Sequence, residues 1–208
     1  MTVFRLPLLF LFAVLVFAAP AVADPLGGPV DQRARQQIAT LFATARAALA
    51  AGDGVTLLAQ LSRGSLARLE AIRNAARLGS AAPLTGFSPS EKLGVLGLRK
   101  HFTAAELRRL HTSELIGRAA RARWLKPETV REAELGAVAL AGSRASAPVL
   151  IDGKPSIAHA DFLREGGQWR LDLTRTTSTA DTLLRVLIPL SGQPEETYLG
   201  RLLDHLRR

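Results

Sequence analysis

Apolar positions in this chain recur every three or four residues as far as residue 131. From 134 to 174 they recur every second residue, so helices come first and strands follow. Asp31 to Ala51 places Ile38, Leu41, Phe42, Ala45 and Leu49 on one helical face, with Asp31 able to cap the start and Gly52-Asp53-Gly54 ending it. Val55 to Leu78 continues as helix, broken near Ser62-Arg63-Gly64. Leu57, Leu58 and Leu61 form one short face, and Leu66, Leu69, Ile72 and Ala76 form another. Gly79 to Gly86 reads as a loop. Ser88-Pro89-Ser90-Glu91 is a capping box with proline at the first helical position, opening a helix to about Lys100. Thr103-Ala104-Ala105-Glu106 repeats the signal before Leu107 and Leu110. Ser113 to Arg123 turns Leu115, Ile116 and Ala119 inward, and Pro127 opens a short helical turn to Arg131.

The alternating region divides into strands Glu134–Ala141, Arg144–Ile151, Lys154–Arg164 and Gln168–Thr174. Asp152-Gly153 and Gly166-Gly167 are hairpin turn dipeptides, so the expected sheet is an antiparallel meander. Pro148 and Pro155 point to edges or bulges. A two-residue turn at Gly166-Gly167 pairs Arg164 with Trp169, Phe162 with Leu171 and Ala160 with Leu173 on an oily side. The other side pairs Leu163 with Arg170, Asp161 with Asp172 and His159 with Thr174. Beyond the sheet, Ser178-Thr179-Ala180-Asp181 can cap a helix that Pro189 stops after Ile188. Pro194-Glu195-Glu196 opens a last helix striped by Leu199, Leu202, Leu203 and Leu206.

The oily side, with Phe162, Trp169, Leu171 and Leu173, demands cover, which the preceding helices supply. It is read as core or pocket wall, with Arg164 at the rim, where an anion or the face of Trp169 could meet it. On the polar side, His159, Asp161, Arg170 and Asp172 lie close together. Two opposed carboxyls repel unless a proton, a cation or Arg170 stands between them, so a metal or acid–base site is one reading. The favoured reading is a solvent or subunit face, because a sheet covered by helices on one side carries polar residues on the other.

Composition adds the compartment. Met1 to Arg5, the apolar run Leu6 to Ala18 and Ala21-Val22-Ala23 before Asp24 have the layout of a secretory signal peptide, cleaved between Ala23 and Asp24. An uncleaved anchor is the alternative, but the run is short of the about 20 residues a span needs. The expected product is periplasmic or secreted: Asp24–Arg208, 185 residues, with 24–30 as linker and no further membrane span. The 208 residues include no cysteine, which removes disulfides, thiolate chemistry and lipid attachment at a cysteine. The leader holds one charge, Arg5, so the remainder keeps +8 of the net +9. Its arginines are scattered and poorly interleaved with aromatics, which argues for a solvated face and against nucleic acid as partner. An acidic envelope polymer is a further candidate for that charge.

Helices followed by a curved meander that ends in Phe162, Arg164, Glu165, Gly167, Trp169, Leu171 and Leu173 resemble the nuclear transport factor 2-like superfamily, in particular its small exported bacterial members. The resemblance spans about Asp31 to Thr174 and implies an α+β cone: a bent antiparallel sheet of four strands or more around helices, with a pocket at the open end. The implied domain is 31–178 with a helical insert at 88–131, followed by a C-terminal helical extension at 179–208. Both additions depart from the simple pattern. Members include isomerases, cyclases and dehydratases as well as binding and assembly modules, so the fold alone does not choose.

The family's enzymes carry an acid or histidine inside the pocket, and the inward hairpin positions here offer none. The only tyrosine, Tyr198, lies in the extension. His101 and His111, with Glu106 or Glu114, are the remaining route to a catalytic pair. No phosphate loop, metal-type histidine spacing or nucleophile elbow is present. The expectation is therefore an exported non-catalytic binding or interaction domain, with no catalytic residue, metal or cofactor assigned. Its partner would be a small apolar ligand or an envelope protein, with a homodimer through the leucine stripe as a further option. The alternative is a pocket enzyme, an isomerase, lyase or hydrolase, acting on a small hydrophobic compound.

Overall fold

A computed structural model describes residues 28–79, 83–122 and 127–205. The expected signal peptide and Leu206 of the expected leucine stripe lie outside them. The chain is α+β, with helices packed against a curled antiparallel sheet. In chain order the helices before the sheet are α1 (Pro29–Ala51), α2 (Gly54–Ala59), α3 (Arg63–Arg77), α4 (Pro89–His101), α5 (Ala104–Arg109), α6 (Thr112–Arg121) and α7 (Pro127–Glu132). The sheet comprises β1 (Ala133–Leu135), β2 (Ala139–Ala141), β3 (Arg144–Ile151), β4 (Lys154–Glu165) and β5 (Gln168–Leu171). α8 (Leu173–Leu190) and α9 (Glu195–His205) follow.

Most boundaries fall where local chemistry puts them. Ser88 and Thr103 make the expected capping boxes with Glu91 and Glu106, and Ser62 caps α3 at the expected break. α1 departs from expectation. Gly28 is its cap and Pro29 begins it, so Asp31 lies in the first turn, where its charge meets the helix dipole.

The expected strand over 134–141 is two short strands, both paired with β3. Between them Gly136 N donates to Pro148 O at 2.8 Å, and a Cβ at 136 would stand 2.8 Å from Pro148 Cγ. Pro148 has no N–H for the ladder, and the β3–β4 register shifts between Pro148 and Leu150. The sheet order is β1-β3-β4-β5, with β2 also on β3. The β4–β5 hairpin has the predicted register, with Phe162 opposite Leu171, Leu163 opposite Arg170 and Arg164 opposite Trp169. Gly166 and Gly167 both have positive φ, as a type I′ turn requires.

β5 stops at Leu171, three residues short of expectation. Asp172 is the N-cap of α8, so the pairs Ala160–Leu173 and His159–Thr174 do not form. Ser178 and Asp181 sit inside α8, which runs unbroken across 178/179. Pro189 lies in its last turn and ends nothing, because that position forfeits only one intrahelical bond. Both edges of this corner are closed. Leu171 N donates to Gln60 O and Ser62 N to Leu171 O, each at 2.9 Å, while Thr176 Oγ1 accepts from Asp161 N at 3.4 Å.

Apolar burial falls into three clusters. The largest packs Ile38, Phe42 and Ala45 of α1 onto Ala160, Phe162 and Leu171 of the inner sheet face. Arg46 Nη1 of α1 donates to Ala133 O at 2.6 Å and Arg35 Nε to Val138 O at 3.3 Å, fastening that helix to the broken first strands. A second cluster joins Ala76, Val95, Leu107 and Leu115, and a third joins Leu93, Leu184 and Leu199. Leu199 is fully buried, so the leucine stripe of α9 packs within the chain. Among the described residues, no helix is long and apolar enough to cross a membrane.

Candidate functional site

Where the three clusters meet they do not close. A cavity of about 710 Å³ lies between α3, α4, α6 and α8, bounded also by Leu49 of α1 and Leu203 of α9. That volume is within the about 300–1,000 Å³ of small-molecule sites. α6 gives it Leu115, Ile116, Ala119 and Ala120, which recur at helical spacing and leave that wall almost wholly apolar. α3 adds Leu69 and Ile72, and α4 adds Leu93 and Leu98 with Gly94 and Gly97, where the helix presents backbone instead of side chain. From α8 come Thr174 and a stripe of one residue per turn, Leu173, Thr177, Asp181 and Arg185.

Most of the charged groups of the wall are already engaged. Arg68 forms a two-pronged ion pair with Glu91 and lies 5.6 Å over the Phe87 ring. Glu91 Oε2 also accepts from Ser88 N at 2.8 Å. Burial alone would raise the Glu91 pKa, but the hydrogen bonds from Arg68 and Ser88 outweigh it and hold the carboxyl below its usual range. Asp181 Oδ1 accepts from Ser90 N at 2.8 Å, tying α8 to the first turn of α4. Arg73 Nε donates to Leu110 O at 3.0 Å, and its Nη1 pairs with Glu70 at 3.3 Å. Arg185 has no hydrogen bond or ion pair among the described residues, and it is exposed.

Of the residues singled out on the oily hairpin face, Phe162 (1% exposed), Trp169 (5%) and Leu171 (1%) are packed in the large cluster against α1. Trp169 Nε1 has no partner there. Arg164 is exposed and donates from Nε to Gly167 O at 3.3 Å, folding back on its own turn. Leu173 alone of the five lines the helical cavity.

The polar quartet is arranged differently from the sheet the alternation predicts. Asp172 N donates to Asp161 O at 2.8 Å, so those two are neighbours, but Asp172 is only 5% exposed. Its Oδ1 accepts from Thr174 N and Oγ1 at 3.2 and 2.6 Å, from Ser62 Oγ at 3.4 Å and from Ser65 Oγ at 3.5 Å. Arg170 does not stand between the aspartates. It donates to Ala59 O, at the carbonyl end of α2, and to Gln168 Oε1 at 2.7 Å. His159 is exposed opposite Pro148. Among the described residues, no group of three or more His, Cys, Asp or Glu side chains is placed to hold a metal.

The cavity residues Arg68, Glu91, Asp181 and Arg185 are absent from a strand-based reading of the site. The signal that carries Asp181 and Arg185 is the four-residue spacing Leu173-Thr177-Asp181-Arg185, which is hidden when Leu173 is read as a strand position, whereas Glu91 reads from sequence as a capping residue only. Comparison with protein-family models, with curated proteins and with solved structures finds no match to this chain.

Proposed function

We propose that this chain is an exported, non-catalytic binding domain of the bacterial envelope that holds a small, largely apolar molecule among its helices. The observation that carries the reading is the cavity between α3, α4, α6 and α8, with its largely apolar α6 wall. Export rests on the sequence layout of residues 1–23. The order of elements, helices first and then a curled antiparallel meander, supports a nuclear transport factor 2-like cone as the parent fold. The helices 88–131 and the extension after the sheet then supply most of the cavity wall. A pocket enzyme would need a wall group able to give or take a proton at neutral pH. Glu91 is held ionised by Arg68 and Ser88, and Asp181 is turned to Ser90 N in the first turn of α4, an arrangement that ties helices together and favours binding over turnover.

Native mass spectrometry of the chain recovered from the periplasm, after expression with its own leader, tests this. The expected spectrum shows a protein starting at Asp24 with extra mass that leaves on denaturation, and a Leu115→Trp variant that lacks the extra mass. A protein without extra mass that also fails to take up a neutral apolar fluorophore overturns the reading.

A further inference from the structure

We infer that the ligand of this cavity is an amphiphile with one anionic head, and that Arg185 receives the head. The inference rests on the binding reading above and goes on to name the ligand class. α8 lines the cavity with Leu173, Thr174 and Thr177 in its first turns and with Asp181 and Arg185 further along. These span about 18 Å of helix, so one wall offers an uncharged stretch and a charged end. Arg185 is exposed, while the apolar wall residues Leu49, Leu93 and Leu115 are all buried.

Five charged side chains line the cavity, and their engagement decides the sign of the ligand. Arg68 and Glu91 neutralise each other. Arg73 is held by Leu110 O and Glu70. Asp181, one turn from Arg185, is held by Ser90 N rather than by Arg185. What remains is a guanidinium with all five donors available, in a geometry suited to a carboxylate or phosphate. Asp181 faces the same space and opposes a second negative charge there, which favours a singly charged head over a dianion. A cationic head has Asp181 alone to meet it, and that carboxylate already accepts from Ser90 N in the first turn of α4.

The experiment uses the chain from Asp24 with N-phenyl-1-naphthylamine, an uncharged fluorophore, displaced by dodecanoate, dodecanol, dodecyl monomethyl phosphate and dodecyltrimethylammonium. The expected result is displacement by dodecanoate or the phosphate monoanion about tenfold better than by dodecanol, with the cation weakest. Arg185→Gln should erase that advantage while leaving dodecanol unchanged, and Arg185→Lys should keep part of it. Because Arg185 is exposed, neither change is expected to disturb folding. Equal displacement by dodecanol and both anions, or an advantage that survives Arg185→Gln, overturns the head assignment and leaves the apolar cavity standing. A protein that neither takes up the fluorophore nor binds any of the four overturns the binding reading and this inference with it.

Discussion

Asp172 shows how one side chain can fix a fold boundary. Its carboxyl accepts from the serines that open α3 and from Thr174 at the start of α8. Asp172→Ala removes a cap and strands buried hydroxyls, so it should cost about 2–4 kcal/mol in urea unfolding, with Asp172→Asn costing less. A loss below 1 kcal/mol would show that the serines re-pair among themselves. Three glycines divide in the same local way. A Cβ on Gly54 would lie 1.9 Å from Ser113 O and one on Gly117 would lie 2.6 Å from Gly52 O, so α2 and α6 cross at contact distance. A Cβ on Gly94 meets only Ile72 Cγ2 at 3.5 Å. Gly54→Ala should therefore destabilise by more than about 2 kcal/mol, whereas Gly94→Ala should stabilise by up to about 1 kcal/mol through helix propensity. Paired thermal melts that rank the two the other way would contradict the close crossing.

At the level of elements, Arg68 and Glu91 join α3 to α4 in the cavity wall. Because the folded Glu91 pKa is lowered, its contribution is present above the ordinary value of 4.5 and is lost as pH falls through the folded value. The lowered Asp53 and Glu106 act in the same direction, each through hydrogen bonds from its own cap partner, Thr56 and Thr103. Wild type should thus lose its melting-temperature advantage over Glu91→Gln as the pH is lowered below 4.5, and a gap that stays constant on acidification would contradict the assignment. The helix starts at Ser62, Ser88 and Thr103 were legible because each is written in a few adjacent residues. The end of β5 was not. Trp169, Leu171 and Leu173 alternate as a strand does, and the contact that ends it, Asp172 with Ser62 and Ser65, joins residues more than a hundred positions apart. The split of 133–141 likewise depends on Gly136 meeting Pro148, which periodicity does not encode.

For the whole molecule, the three apolar clusters define what can be removed. Leu199 completes the third cluster, and Lys92–Glu195 (2.6 Å) and Lys100–Asp204 ion pairs fasten α9 to α4. Deleting Pro194–Arg208 uncovers Leu93 and Leu184, and the loss of such buried leucine packing is worth several kcal/mol. The truncated chain should bind an apolar dye at its new surface and unfold at lower urea. Unchanged stability would mean that α9 is an accessory and free to serve as an interface. The hairpin face was correctly read from sequence as needing cover. The cavity was not foreseen, because it arises between helices whose faces are each legible while their spacing is not.

The shared anchor at Asp172 also governs motion. α3 and α8 are pinned together at their first turns, and each is held again further along, α3 through Ala75 and Ala76 in the second cluster and α8 through Leu184 in the third. The shared root acts as a rivet between two layers, so any widening of the chamber has to release it or bend a helix beyond it. Amide hydrogen exchange should be slowest around Ser65 and Thr176 and quicken along both helices toward Arg77 and Leu190. Uniform exchange along α8 would mean that the root opens too.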